Sequence, residues 1–149
     1  MKLTNIVKTI KQIKTETILL LQVGEFYYQY GKDAYIMAYI FGYKTKIIEN
    51  NIPFSGFPKQ ALNKVISKLE DKEINYIIIN KSLNYEVIEE QNFKNKNNYL
   101  KYYKISKDYI TKRNRINEIY KKLMNSVNEK NLKEKLQKIE EILYEIWKI

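Results

Sequence analysis

Hydrophobic positions recur with two different periods along the first third of the chain. From Thr4 onward, apolar side chains return every three to four residues, which predicts an amphipathic helix with Thr4 as its N-cap. Two short apolar and aromatic runs follow at 18–23 and 26–30, and they are typical of strands joined at Gly24. The apolar stripe of the first helix consists of Leu3, Ile6, Val7, Ile10 and Ile13.

Helical and strand-like patterns continue to alternate up to residue 93. They predict, in order, a helix over 33–41 ended by Gly42, a strand near 43–49, a loop marked by Pro53 and Gly56, a helix opened by Pro58, and strands over 74–80 and 84–89. The inner stripe of the helix after Pro58 consists of Ala61, Leu62, Val65, Ile66 and Leu69. This alternation predicts an α/β domain over residues 1–93, with a mixed β-sheet flanked by helices.

The pattern changes beyond a polar, Asn- and Lys-rich hinge at 92–98. Two long helical patterns separated by a break at 125–131 predict a C-terminal α-helical hairpin over 94–149. The first helix has a stripe of Tyr102, Ile105, Tyr109, Ile116, Tyr120, Leu123 and Val127, and the second has Leu132, Leu136, Ile139, Leu143 and Ile146. These stripes can pair with each other or with another protein, and Ile142, Trp147 and Ile149 widen the second one. The predicted partner-binding residues are Leu136, Ile139, Ile142, Leu143, Ile146 and Trp147.

Positive charge is concentrated in one segment of the chain. The net charge is +10, and residues 94–125 hold ten Lys and Arg against two Asp and Glu. At 100° per residue, six basic side chains share one arc of the first long helix. This arc can be interpreted as a solvated helix face or as a surface that binds nucleic-acid phosphates. The predicted phosphate-binding residues are Lys101, Lys104, Lys107, Lys112, Arg115 and Lys122.

The residue types that most enzymes rely on are missing. With no Cys and no His, disulfides, thiolate metal sites and Ser/His/Asp or Cys/His catalytic sets are excluded. There is no G-x-x-x-x-G-K-[ST] phosphate loop, and the carboxylates of Glu86, Glu89 and Glu90 are expected to be solvated. We therefore expect a non-enzymatic protein without catalytic residues, cofactor or metal. The sequence has no signal-peptide pattern or membrane-span pattern, so a soluble, cytoplasmic protein that does not bind membranes is expected.

The segment Gly24-Glu25-Phe26-Tyr27-Tyr28 is the strongest candidate for a binding site. A glycine between two strands allows a tight reversal and holds the next aromatic ring in a defined direction. Such a ring can act as a wedge or a stacking platform for a base. The alternative is that Phe26 is a half-buried strand aromatic or fills a pocket in a protein partner.

The order and spacing of these residues resemble the N-terminal mismatch-recognition domain of the MutS family. In that family an apolar strand leads into G-D-F-Y-E, then D-A, a helix ending in Gly, and I-P-x-x-G-x-P-x-x-A. The matching positions here are Gly24, Phe26, Tyr27, Asp33, Ala34, Gly42, Ile52, Pro53, Gly56, Pro58 and Ala61, followed by Leu69 and 76–79. The resemblance covers roughly residues 3–90. It implies the same mixed sheet with flanking helices that the hydrophobic pattern predicts.

The resemblance also implies a role for the aromatic residues. In the MutS family the phenylalanine enters the minor groove and stacks on a mispaired base, which makes Phe26 the wedge here. The family's glutamate two residues later is replaced by Tyr28, which can stack but supplies no carboxylate. Because alternate strand residues share a face, Phe26, Tyr28 and Tyr30 are the predicted stacking or wedge residues. Stacking tolerates RNA and single-stranded DNA as well as a mismatched duplex.

Two functions follow from these patterns. The first is a nucleic-acid-binding accessory protein that docks on a larger nucleic-acid enzyme and helps it bind RNA or DNA. Stand-alone MutS-like proteins serve reverse transcriptases of diversity-generating retroelements in this way, so the resemblance implies such a reverse transcriptase as partner. The alternative is a self-sufficient sensor of mismatched or distorted DNA duplex.

Overall fold

A computed structural model of the protein describes residues 4–148, so the predicted stripe positions Leu3 and Ile149 lie outside it. The chain divides into two compact units, the first reaching Ile110 and the second starting at Thr111. We predicted the boundary at residues 93 and 94. The division falls later in the structure because Tyr99, Ser106 and Ile110, in the first turns of the long helix, are buried.

The first unit contains one six-stranded mixed sheet. Its strand order is β3-β4-β2-β1-β5-β6. Strands β1 and β5 run parallel, and all other neighbours are antiparallel. The strands are β1 (Ile18–Val23), β2 (Phe26–Tyr30), β3 (Lys46–Ile48), β4 (Ile52–Pro58), β5 (Tyr76–Asn80) and β6 (Glu86–Gln91). The central strands β1 and β5 carry the continuous apolar runs, as expected of strands covered on both faces.

Helices cover the sheet on both faces. The helices of the chain are α1 (Asn5–Ile13), α2 (Lys32–Phe41), α3 (Leu62–Asp71), α4 (Tyr99–Asn125) and α5 (Leu132–Trp147). One core combines Ile18, Leu20 and Tyr27 of the sheet with buried residues of α2, α3 and the start of α4. The other core combines Leu19 and Leu21 with Val7 of α1. The predicted α/β class with a mixed sheet, flanking helices and a C-terminal helical segment is confirmed.

The predicted loop at Pro53 and Gly56 is wrong, because residues 52–58 form strand β4. Pro53 pairs with Ile47 of the short edge strand β3, and its carbonyl accepts the Gly31 N–H at 2.8 Å. Pro53 is the second residue of β4 and Pro58 is its last, so both lie near the ends of the strand, where a missing N–H removes least from the hydrogen-bond ladder. Proline and glycine usually indicate a turn in a sequence, but here they lie within a strand, and so the sequence pattern failed to predict β4.

Several local predictions are confirmed, and one is partly wrong. The Thr4 hydroxyl accepts the Val7 N–H at 3.4 Å, and Gly42 ends α2 in the left-handed region with φ of 73°. The stripe of α3 faces the core as predicted, although α3 begins at Leu62 after a short 3-10 turn. In α1 only Val7 and Ile10 pack on the sheet, while Ile6 and Ile13 are exposed.

Side-chain amides hold the segment that we predicted as a hinge. The Asn75 backbone N–H donates to Asn97 Oδ1 at 3.0 Å, and Asn75 Oδ1 accepts the Phe93 N–H at 2.7 Å. Asn98 Nδ2 donates to the Lys72 carbonyl at 2.8 Å. These bonds fasten the chain after β6 to the end of α3, and so they fix where α4 begins.

In the second unit, residues beyond Thr111 of α4 and the whole of α5 form the two helical segments that we predicted. Leu132 is buried there, and Leu123, Leu136 and Ile139 are half-buried. The stripe predicted for the first long helix is only partly buried, because Ile105 of the first unit and Ile116, Tyr120 and Val127 of the second are exposed. No helix in the part of the chain that the structure describes is long and apolar enough to cross a membrane.

Candidate nucleic-acid interface

A two-residue turn presents Phe26 at the first position of β2. Val23 pairs with Phe26 across the hairpin, so only Gly24 and Glu25 lie between the strands. Gly24 has φ of 61°, the positive value that the first position of a type II′ turn requires. Phe26 remains 45% exposed. The turn therefore places a large aromatic ring at the surface, as the sequence predicts.

Phe26 belongs to a row of aromatic rings on one face of the sheet. Its ring stacks on Tyr28 with a centroid distance of 6.1 Å and an interplanar angle of 23°. Tyr28 lies 6.3 Å from Phe54 of the neighbouring strand β4, and Phe54 lies 6.3 Å from Tyr30. Because side chains alternate along a strand, Tyr27 and Gln29 of β2 are buried against the opposite face.

The outer part of this row borders a groove of about 300 Å³, which we call the aromatic groove. Lys44 and Lys46 stand beside the rings, and within residues 4–148 neither ammonium group has an ion-pair partner. Aromatic rings next to unpaired cations suit a nucleic acid, which offers flat bases and anionic phosphates. The groove is lined by Phe26, Tyr28, Tyr43, Lys44, Lys46, Phe54, Ser55 and Gly56.

The absence of a side chain at Gly56 sets the position of Tyr28. Gly56 pairs directly with Tyr28 across β2 and β4. A Cβ atom added at Gly56 would lie 2.7 Å from Tyr28 Cδ1, well inside van der Waals contact. The tyrosine ring therefore lies over bare backbone, stacked against Phe26.

Tyr30 is not available as the third stacking residue, which corrects the prediction. Its side chain is only 8% exposed and belongs to the core beneath α1. Burial, with Tyr28 and Tyr85 nearby, raises the pKa of Tyr30 to about 12. Strand β2 enters the core at this residue because α1 covers this part of the sheet. Phe54 occupies the next place in the accessible row instead.

Sequence reasoning missed the two lysines and the third ring of this site, Lys44, Lys46 and Phe54, as well as the lining residues Tyr43 and Ser55. Lys46 and Phe54 are register partners across β3 and β4, and Phe54 also pairs with Tyr30. The signal existed in the alternation around Phe54, but Pro53 and Gly56 led us to predict a loop. Without β4 there was no neighbouring strand on which to place these side chains.

The structure leaves all six predicted phosphate-binding residues exposed on α4. Lys101, Lys104 and Lys107 belong to the first unit, whereas Lys112, Arg115 and Lys122 belong to the second. Lys101 Nζ lies 5.7 Å from the ring centroid of Tyr102, and Lys107 Nζ lies 5.6 Å from that of Tyr103. Their role in binding phosphate stays a prediction.

The predicted partner-binding residues divide into two groups in α5. Leu136 and Ile139 are half-buried within the second unit. Ile142, Leu143, Ile146 and Trp147 are exposed, with Trp147 at 65%. Four large apolar side chains in the last two turns are more than a solvated helix requires.

The MutS domain I family model matches residues 2–82, which is more than half of the 149-residue chain. The chain belongs to the MutS domain I family. No curated protein matches the chain. The match to MutS domain I spans α1 to β5 and includes every residue that lines the aromatic groove, while β6, α4 and α5 lie beyond it.

Membership of the MutS domain I family associates the chain with nucleic-acid binding and mismatch recognition. The Phe26 ring is exposed at the turn where the resemblance places the wedge. Within residues 4–148, no group of three or more Asp or Glu side chains is arranged to hold a metal ion. Glu89 accepts the Tyr76 hydroxyl at 3.3 Å, and Glu90 pairs with Lys14.

Proposed function

We propose that this protein binds nucleic acid without catalysing a reaction, by stacking bases on Phe26, Tyr28 and Phe54. The observation that carries the proposal is the aromatic groove: three rings in sequence on one sheet face, with two unpaired lysines beside them. Base stacking on aromatic side chains is tolerant of sequence, because every base has a flat π-face. The lysines add the attraction to phosphates that makes such binding sensitive to salt.

The side chain of Tyr28 favours single-stranded or distorted nucleic acid as the ligand. In the position where the MutS family has its base-contacting glutamate, this chain has a ring stacked on Phe26. A ring cannot supply the carboxylate contact, but it lengthens the stacking surface. The proposal covers RNA and DNA, since stacking does not require a particular sugar.

The accessory role rests on the second unit. There α4 exposes Ile116, Ile119 and Tyr120, and α5 exposes Ile146 and Trp147. We propose that these residues dock on a larger nucleic-acid enzyme, and a reverse transcriptase of a diversity-generating retroelement is the partner that the sequence resemblance suggests. The basic residues of α4 would then help hold the nucleic acid on that complex.

Binding of an oligonucleotide tests the stacking site. Fluorescence anisotropy with a labelled single strand should show that Phe26→Ala weakens binding by about 1–3 kcal/mol, roughly five- to 150-fold, because one stacked base loses its platform. Phe93→Ala serves as the matched control, since Phe93 does not line the groove. Equal affinities for the wild type and Phe26→Ala would contradict the proposal.

Affinity purification from the native host tests the partner. The wild-type chain should retain a polymerase and its RNA, whereas Ile146→Glu/Trp147→Glu should lose the polymerase and still bind the labelled oligonucleotide. Recovery of the wild type as a free monomer would contradict the accessory role and leave the stacking proposal standing.

The family match supports a second candidate, a self-sufficient sensor of mismatched DNA. This function requires a G·T mismatch to bind at least about tenfold tighter than matched duplex, with the preference lost in Phe26→Ala. Equal binding of the two duplexes would rule out the sensor.

A further inference from the structure

A second cavity, of about 490 Å³, lies between α1 and the start of α2. It shares no lining residue with the aromatic groove. Its size falls within the range of about 300–1,000 Å³ that is usual for small-molecule sites. Nothing in the proposed stacking function uses this cavity.

The charged side chains that line the cavity are all lysines: Lys8, Lys11 and Lys32. Lys8, Lys11, Gln12 and Thr15 recur at spacings of three and four residues, so α1 and the residues just after it present them on one side. Lys32 comes from the first turn of α2, after Gly31 with φ of 61°. Two separate elements therefore direct cations to one cavity without a carboxylate in its lining.

Lys11 is held in place by a buried acid. Its ammonium group donates to Asp33 Oδ1 at 2.9 Å and also to the Thr17 carbonyl. Asp33, only 1% exposed, further accepts the Leu19 N–H at 2.9 Å and the Tyr99 hydroxyl at 2.5 Å. Asp33 thus offsets the charge of Lys11.

Lys8 and Lys32 remain as two uncompensated charges. Within residues 4–148, neither ammonium group pairs with a carboxylate. Lys32 Nζ lies 5.0 Å from the ring centroid of Tyr103, a contact that orients the cation without neutralising it. Two unneutralised ammonium groups beside one cavity suit a ligand with a dianionic group, and phosphate is the common biological example.

The rest of the lining indicates what the phosphate is attached to. Ile52, which is half-buried, is the accessible part of the apolar wall, whereas Val7 and Tyr30 border the cavity but are only 2% and 8% exposed. Gln12 and Thr15 add an amide and a hydroxyl. A phosphate group alone would leave most of this cavity, of about 490 Å³, unfilled. An apolar wall with a few hydrogen-bonding groups suits a flat heterocycle with polar edges.

We propose that this cavity binds a nucleoside monophosphate, with its phosphate at Lys8 and Lys32 and its base against Ile52. The nucleotide can be free in solution or can be the 5′-phosphorylated end of a strand, because both present the same group. The proposal does not depend on stacking in the aromatic groove.

Calorimetric titration of the full chain with AMP tests this site. AMP should bind saturably, and adenosine and inorganic phosphate should each bind at least about tenfold more weakly, because each lacks one half of the recognised group. Lys8→Ala/Lys32→Ala should weaken AMP binding at least about tenfold. Lys64→Ala/Lys121→Ala, which removes the same charge from exposed positions elsewhere, should not change it. Phe26→Ala should also leave AMP binding intact, so the two proposed sites can fail separately.

Three results would overturn the proposal: no saturable AMP binding, equal binding by the Lys8→Ala/Lys32→Ala variant, or equal affinities for AMP and inorganic phosphate. Competition then separates the two sources of the ligand. A 5′-phosphorylated oligonucleotide that displaces AMP, while its 5′-hydroxyl counterpart does not, identifies the strand end. Failure of both oligonucleotides to displace bound AMP identifies the free nucleotide.

Discussion

At the scale of single residues, the fit between Gly56 and Tyr28 defines the aromatic groove. Strand β4 passes directly beside Tyr28, and only a glycine leaves room for the ring there. The sequence shows Gly56 as part of a family pattern and as a turn signal. Gly56 leaves space for the Tyr28 ring only because the two residues are register partners. That register cannot be predicted unless β4 is first recognised as a strand.

Gly56→Ala tests this fit. The new Cβ would lie 2.7 Å from Tyr28 Cδ1, so the ring must move, at a cost of about 1–3 kcal/mol in the free energy of unfolding. Oligonucleotide affinity should fall as well, because Tyr28 leaves its stack on Phe26. In the Tyr28→Ala background the same substitution should cost much less, as urea unfolding of the four proteins would show. An equal cost in both backgrounds would mean that the ring and Gly56 are not coupled.

At the scale of elements, strong periodicity predicted the structure well and interrupted periodicity did not. The apolar runs of β1 and β5 and the stripe of α3 needed only their own residues to be recognised. Strand β4 contains two prolines and a glycine, and it forms a strand because it pairs with β2 on one side and with β3 on the other. In α4 the buried positions are Tyr99, Ser106 and Ile110. Because one of them is polar, the hydrophobic pattern alone predicted a different face of this helix as the buried one.

The basic residues of α4 lie in two units, and paired substitutions test the predicted role of each group separately. If both segments contact phosphates, Lys101→Glu/Lys104→Glu and Arg115→Glu/Lys122→Glu should each weaken oligonucleotide binding and each reduce the slope of log affinity against log salt by about two. Circular dichroism should show intact folding, because all four side chains are exposed. An unchanged slope for either pair would assign that segment to a solvated helix face.

At the scale of the whole molecule, buried tyrosines make the free energy of unfolding decrease at high pH. Burial raises the pKa of Tyr30 to about 12, and it also raises the pKa values of Tyr76 and Tyr99, with nearby carboxylates adding to the effect. Below pH of about 10, where unfolded tyrosines keep their protons, this contribution to stability is complete. As the pH rises further, the unfolded chain loses protons that the folded chain retains, so stability falls.

Urea unfolding at pH 8 and pH 11 measures this effect. The midpoint should be lower at pH 11, and Tyr30→Phe should reduce the difference because it removes one of the retained protons. Tyr120→Phe is the control, since Tyr120 is 60% exposed. A midpoint that does not change between the two pH values would contradict the assignment of these hydroxyls to the core.

Photochemical crosslinking of a bound oligonucleotide, followed by mass spectrometry of the peptides, tests the central claim most directly. Bases stacked in the aromatic groove should form adducts on the peptides that contain Phe26, Tyr28 or Phe54, and these adducts should disappear with excess unlabelled oligonucleotide. Adducts confined to residues beyond Thr111, with none on β2 or β4, would contradict base stacking in the groove.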